Sequence, residues 1–168
     1  MNRRTVLALA GAGLSIPGGY VAWNRFQSLS VPDGMHVDTL YVRGNVFGEP
    51  APADHEIGSK EPHHTVIGDE ETAAHEVSFA ESAIKFADET DFGNSYLSIV
   101  QTRMQSEPDL ALEAIARTDD GLHLDVAVEH PWWRGVDDDS VTHSLLIRIA
   151  DDKDGIPESV SVDITGYV

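Results

Sequence analysis

The sequence predicts a mostly β domain, a small antiparallel β-sandwich or open barrel, preceded by an N-terminal signal or anchor helix. Two observations support the β assignment. Apolar and polar residues alternate over residues 122–128 and again over residues 160–164, which is the pattern of strands with one buried face. The apolar runs are short, and acidic or Gly- and Pro-containing turns separate them, as is typical of antiparallel sheets.

The first 23 residues have the composition of a targeting segment. Arg3 and Arg4 precede residues 5–23, an uncharged run rich in Ala, Gly, Leu and Val. If this run stays uncleaved, its roughly 19 residues rise about 28 Å as a helix, which is close to the hydrocarbon thickness of a bilayer. We therefore expect residues 1–23 to be a signal or membrane anchor and residues 24–36 to be a tether.

Residues 37–168 form the predicted acidic β domain. Residues 37–47 favour a first strand or a short hairpin. Residues 48–76 are rich in proline, acids and histidine and are interpreted as a polar loop, with room for a strand near residues 65–67. Residues 77–92 fit either a short helix or a strand.

The C-terminal half contains the clearest strand signals. Strands are predicted at residues 96–100, 110–118, 122–128, 144–149 and 160–164. Asp120 and Gly121 form a hairpin signal between the second and third of these runs. A helix over residues 109–117, capped from Ser106, is the alternative for the second run, because its alanines favour helix. Residues 144–149 are apolar enough for a central strand.

The charge balance excludes several classes of partner. The chain has 29 acidic and 11 basic residues and a formal net charge of −18. This charge repels nucleic acid phosphates and anionic lipid headgroups, so we expect no nucleic acid partner. The absence of cysteine excludes disulfides and thiolate sites. Molar salt would screen the repulsion among the carboxylates and favour the compact state.

Two features of the sequence resemble known groups of proteins. Arg3, Arg4 and Leu7 ahead of a Gly- and Ala-rich apolar run resemble a twin-arginine signal, which implies export of an already folded protein. Few lysines and many aspartates make the mature chain similar to exported proteins of halophilic archaea whose function is unknown. The resemblance implies a location at the cell surface or outside the cell, with membrane attachment through the N-terminal helix if it is uncleaved.

A group of histidines supplies the candidate metal ligands. His55, His63, His64 and His75 lie among several acidic residues, and nitrogen and oxygen ligands are those that zinc and copper use. The spacing matches no specific metal motif, and the neighbours His63 and His64 would point to opposite faces of a strand. A solvated polar loop is the alternative interpretation, and the sequence indicates no cofactor.

Trp132, Trp133 and Arg134 form the most unusual local sequence. Two indoles next to a cation are typical of a platform for sugar or peptide binding. The alternative is that tryptophan closes the open end of the β core. We therefore treat these residues as candidate ligand-binding residues.

Two further patterns favour ordinary surface roles. Asp152 and Asp154 match positions of a calcium-binding loop, but Ala150 stands where its first carboxylate belongs. His123 and Asp125 share one strand face, most simply the solvent face. No nucleophile elbow, phosphate loop or dinucleotide glycine pattern occurs, so no catalytic residues are assigned.

These observations lead to one functional hypothesis and one alternative. The first is a non-enzymatic, exported or membrane-anchored β domain that acts as a binding or accessory module, with an envelope protein as its partner. The alternative is a small metal-binding protein or metal-dependent enzyme that uses residues 55–76. The sequence specifies no oligomeric state.

Overall fold

The computed structural model describes residues 29–48, 62–130 and 140–166. Most of these residues lie in strands, as the sequence predicts. The strands are β1 (Met35–Arg43), β2 (His63–Ile67), β3 (Tyr96–Gln105), β4 (Asp109–Thr118), β5 (Gly121–Glu129), β6 (Ser140–Asp151) and β7 (Ser159–Thr165). The helices are α1 (Glu70–Glu76) and α2 (Glu81–Asp88).

The strands form two sheets. The first sheet has four antiparallel strands in the order β1-β6-β3-β2, and the second has three strands in the order β4-β5-β7. β4 and β5 form the predicted antiparallel hairpin, whereas β5 and β7 are parallel. β7 therefore departs from the predicted antiparallel arrangement. The physical reason is that β6, which connects β5 to β7, lies in the first sheet. The chain therefore returns to the second sheet at the end where β5 begins, and β7 runs in the same direction as β5.

The two sheets pack against each other across one apolar core. Alternate residues of β5 point into this core, as the alternation over residues 122–128 predicts. The core side chains include Tyr96, Val100, Met104, Leu145, Ile147 and Ile149 from the first sheet and Leu110, Ile115, Leu122, Leu124, Val126 and Val128 from the second. Burial of each large apolar side chain contributes about 1.5–3 kcal/mol. This arrangement is compatible with a β-sandwich.

The helices cover the other face of the first sheet. Ala73 of α1 and Ala83 and Ala87 of α2 belong to a second apolar cluster with Leu97 and Leu146 of the sheet. β3 and β6 are consequently buried on both faces, which explains why residues 144–149 form a continuous apolar run. The prediction of a central strand at residues 144–149 is confirmed.

The structure decides between several alternatives in the sequence. Residues 77–92 contain helix α2, and residues 109–117 lie in strand β4. The described part of the segment interpreted as a polar loop contains β2 and α1. α1 begins after Asp69, whose carboxylate accepts a hydrogen bond from the Thr72 backbone N–H at 2.8 Å.

The predicted N-terminal helix at residues 1–23 lies outside the described residues. Within the predicted tether, Ser30 pairs with β4 through backbone hydrogen bonds to Glu113 at 3.0 Å and from Ile115 at 2.8 Å. None of the helices in the described ranges has the length and apolar character needed to cross a membrane.

Candidate functional site

The second sheet has an outer face that points away from the core, and the β5–β7 pairing builds a polar cluster on it. Side chains alternate along each strand, so His123 and Asp125 of β5 point outward while their neighbours enter the core. In the parallel register His123 lies beside Ser161 and Asp125 lies beside Asp163. Four polar side chains from two strands are thereby placed side by side.

A glycine allows the close approach of these two strands. Gly121, the first residue of β5, has a φ of +153°, and a Cβ atom built there would lie 2.0 Å from the Ser159 carbonyl oxygen. Any larger residue would push the start of β7 away from β5. Gly121 therefore serves both the hairpin turn and the register that aligns the polar side chains.

His123 stands at the centre of this group. Its Nδ1 lies 2.8 Å from the Ser161 hydroxyl oxygen, and its Nε2 lies 3.1 Å from Asp125 Oδ1 and 3.6 Å from Asp163 Oδ2. The side chains of His123, Asp125 and Asp163 are 26%, 44% and 76% exposed. The group is thus open to solvent. We call His123, Asp125 and Asp163 the His123 cluster.

The His123 cluster has the composition of a metal site. One ligand atom from each residue can be chosen so that all three lie within 4.8 Å of one another. Zinc bonds to nitrogen and oxygen of about 2.1 Å, arranged tetrahedrally, place the ligand atoms about 3.4 Å apart. The Nε2-to-carboxylate distances of 3.1 Å and 3.6 Å lie on either side of that value. Three protein ligands would leave at least one coordination position open to solvent or to another molecule.

Electrostatics also favours a cation at this position. The two carboxylates converge on one ring nitrogen, so a hydrogen on Nε2 or a metal ion must lie between these groups to offset their mutual repulsion. A metal ion would also compensate the negative charges of Asp125 and Asp163.

The predicted histidine group is dispersed among the elements that the structure describes. His63 and His64 lie on β2, and the His63 ring packs edge-on against Phe47 with ring centroids 5.6 Å apart. His75 lies on α1, 3.5 Å from a carboxylate oxygen of Glu76. No cluster of three metal-ligating side chains within the described ranges includes these histidines. His55 lies outside those ranges.

The remaining candidate residues also lie outside the described part of the chain. Trp132, Trp133 and Arg134 belong to residues 131–139, between β5 and β6, and their role as a ligand platform stays a prediction. Arg3 and Arg4 lie in the undescribed N-terminal segment, so the export signal stays a prediction as well.

An arginine from β4 contacts the turn that partly matches a calcium-binding loop. The Arg117 guanidinium makes a bidentate ion pair with Asp151, at 2.6 Å and 2.7 Å, and also contacts Asp154. Hydrogen bonding from Arg117 lowers the pKa of Asp151. Because Arg117 belongs to β4 and Asp151 to β6, the pair links the two sheets. The guanidinium already supplies the positive charge there, so this turn has less need of a metal than the His123 cluster.

A second histidine lies in the interior and has a different environment. The His143 ring is fully buried, with Nε2 donating to the Gln105 carbonyl oxygen at 2.8 Å. Its Nδ1 accepts a hydrogen bond from the Tyr41 hydroxyl at 2.6 Å. Burial lowers the pKa of His143, so the ring is neutral near pH 7. Both ring nitrogens are occupied by protein groups, which leaves none for a ligand.

The sequence pattern indicates two of the three residues of the His123 cluster. The alternation over residues 122–128 places His123 and Asp125 on one solvent-facing side, as observed. Asp163 and Ser161 also alternate with apolar residues, but nothing local indicates that their strand lies parallel to β5.

Comparison of the chain with protein families, with curated proteins and with solved structures found no match.

Proposed function

We propose that this chain is an exported β domain that binds a divalent transition-metal ion on the outer face of its second sheet. The observation that carries the proposal is the convergence of His123 Nε2, Asp125 and Asp163 at distances that suit tetrahedral coordination. The site retains the metal-binding hypothesis made from the sequence and moves it from residues 55–76 to the β5–β7 face.

The ligand chemistry favours zinc and related ions over calcium or magnesium. Calcium and magnesium prefer six or more oxygen ligands, whereas imidazole nitrogen suits zinc, copper and nickel. The His123 cluster offers one nitrogen and two carboxylates. The net charge of −18 adds a general attraction for cations, but this attraction does not distinguish one divalent ion from another.

Binding of zinc to the full-length chain in molar potassium chloride tests the metal site. We expect one zinc ion per chain by isothermal titration calorimetry, retained in the presence of excess magnesium. His123→Ala and Asp125→Asn should each weaken zinc binding at least about tenfold, since each removes one of three ligands. Cobalt, which has visible absorption bands, reports the coordination number of the same site.

The chain offers matched controls for this titration. His75→Ala removes an exposed histidine that also lies beside a carboxylate, that of Glu76, and should leave zinc affinity unchanged. The double variant His63→Ala, His64→Ala tests the histidine group predicted from the sequence. Loss of binding in the double variant, with normal binding by His123→Ala, would contradict the proposed site and return the metal to residues 55–76.

The location of the domain is part of the proposal. Arg3, Arg4 and the apolar run over residues 5–23 support export through a twin-arginine signal, and an uncleaved helix would hold a β-sandwich at the outer surface. An outward-facing metal site suits a binding or accessory role toward another envelope protein. The proposal needs no catalytic step.

The intact mass of the native protein, measured separately in membrane, medium and cytoplasm, tests export. We expect the full-length mass in the membrane or a shortened mass in the medium. The variant Arg3→Lys, Arg4→Lys, which keeps the charge, should accumulate in the cytoplasm. A native chain of full mass found only in the cytoplasm would contradict export, and it would leave the metal titration unaffected.

A further inference from the structure

We infer that Ser161 is a positioning residue that holds the His123 ring so that Nε2, and not Nδ1, binds the metal ion. The inference rests on the proposed metal site and adds a fourth residue to it. Ser161 touches the ring nitrogen that faces away from the two carboxylates, so it acts on the ion only through His123.

The contacts around Ser161 allow the tautomer of His123 that has its hydrogen on Nδ1. The Ser161 hydroxyl lies 3.4 Å from the Leu122 carbonyl oxygen, which can only accept a hydrogen bond. When the hydroxyl donates to that carbonyl, its oxygen is left to accept from His123 Nδ1–H at 2.8 Å. The neutral ring then has its lone pair on Nε2, directed at the carboxylates of Asp125 and Asp163.

The strand register makes this support rigid. His123 and Ser161 are paired residues on adjacent parallel strands, so their side chains leave the same face side by side. In this arrangement His123 donates to the Ser161 oxygen and the Leu122 carbonyl accepts the Ser161 hydroxyl hydrogen, and these two residues are consecutive in β5. Metal-bound histidines commonly donate their second ring N–H to such a partner, and loss of the partner typically lowers metal affinity 10–100-fold, roughly.

Among the described residues, the two carboxylates of the His123 cluster cannot replace this contact. Asp125 and Asp163 both face Nε2, so neither can accept from Nδ1 in the same ring orientation. If Ser161 is replaced by a residue without a hydroxyl, the ring is free to turn over and to present either nitrogen to the carboxylates. In a fraction of the chains, Nε2 of His123 then does not direct its lone pair toward the metal position.

Zinc titration of the full-length Ser161→Ala variant tests the inference. We expect its zinc affinity to fall about 10–100-fold, and Ser161→Thr, which keeps a hydroxyl on a strand-favouring side chain, to restore it to within about threefold. Nuclear magnetic resonance of the imidazole nitrogens in zinc-loaded protein should show a single form with zinc on Nε2 of His123. In Ser161→Ala the spectrum should contain both coordinated forms.

Ser159→Ala is the matched control. Ser159 lies on the same strand and the same face, but its hydroxyl donates to the Asp120 carbonyl oxygen at 2.7 Å and makes no hydrogen bond to His123. This variant should bind zinc as the wild type does. Wild-type affinity and a single Nε2-bound form in Ser161→Ala would overturn the inference and leave the metal site standing. A wild-type chain that binds no zinc would overturn both.

Discussion

The two sheets share one core but differ on the faces that point away from it. The outer face of the first sheet is covered by α1 and α2, and the buried Gln101 amide nitrogen on that face donates to Asn45 at 2.9 Å and to Ser144 at 2.8 Å. The outer face of the second sheet carries the partly exposed His123 cluster. The first face contributes to stability, and the second presents groups that can accept a ligand.

The two histidines His143 and His123 show the same difference. Both rings have partners on each nitrogen, but the partners of His143 are a carbonyl and a hydroxyl that match a neutral ring. Two carboxylates face one nitrogen of His123, and a metal ion placed there would contact all three groups. A histidine is therefore a better candidate ligand when carboxylates share one of its nitrogens than when neutral protein groups occupy both.

The largest expected loss of stability comes from a cavity on the helix-covered face of the first sheet. Leu146 is fully buried between the first sheet and the helices, so Leu146→Ala should lower the free energy of unfolding by about 2–5 kcal/mol. The measurement is urea denaturation at constant molar salt, since a charged denaturant would also change the screening of the acidic surface. Zinc binding should persist while the variant is folded.

The same Ala-to-Leu substitution tests how each outer face is packed. Ala83 of α2 is fully buried against the first sheet, whereas Ala116 of β4 is exposed. Ala83→Leu should destabilise the fold by about 1–3 kcal/mol through overpacking, and Ala116→Leu should change stability by less than about 0.5 kcal/mol. Equal destabilisation by the two variants would show that the outer face of the second sheet is covered as well.

The sequence predicted those strands whose own pattern of apolar residues shows which face is buried. The alternation over residues 122–128 and the apolar run over residues 144–149 fixed the faces of β5 and β6 correctly. Residues 109–117 remained open between helix and strand, because alanine favours helix while pairing with β5 favours strand. Pairing decided the outcome, and the Asp120-Gly121 turn was its local signal.

The pairing of distant segments could not be predicted in the same way. His123 and Asp163 are 40 positions apart in the sequence, and the cluster exists only because β7 lies parallel to β5. Parallel pairing has no turn signal, since the connection passes through the other sheet. The histidines of residues 48–76 are close together in the sequence, whereas His123 and Asp163 are brought together by the register of two strands.

The smallest expected effect concerns pH, and it separates His143 from the solvent-facing histidines. Burial lowers the pKa of His143 below its ordinary value of about 6.5, so the unfolded chain binds a proton more readily than the folded one. Stability is therefore complete above about pH 6.5 and is lost as the pH falls toward the folded-state pKa, at most by about 1.4 kcal/mol per pH unit. Protonation of Nδ1 would also remove the acceptor for the Tyr41 hydroxyl.

Urea denaturation between about pH 8 and about pH 5.5 measures this loss. His143→Gln should flatten the pH dependence, whatever its effect on stability at neutral pH. His36→Gln, on the exposed side of β1, should keep the wild-type dependence. Arg43 and Asp109 also act on His143, with opposite signs, so neither charge alone reproduces the effect of burial. An unchanged pH dependence in His143→Gln would mean that the ring is not sealed between the sheets, and the contrast with His123 would be lost.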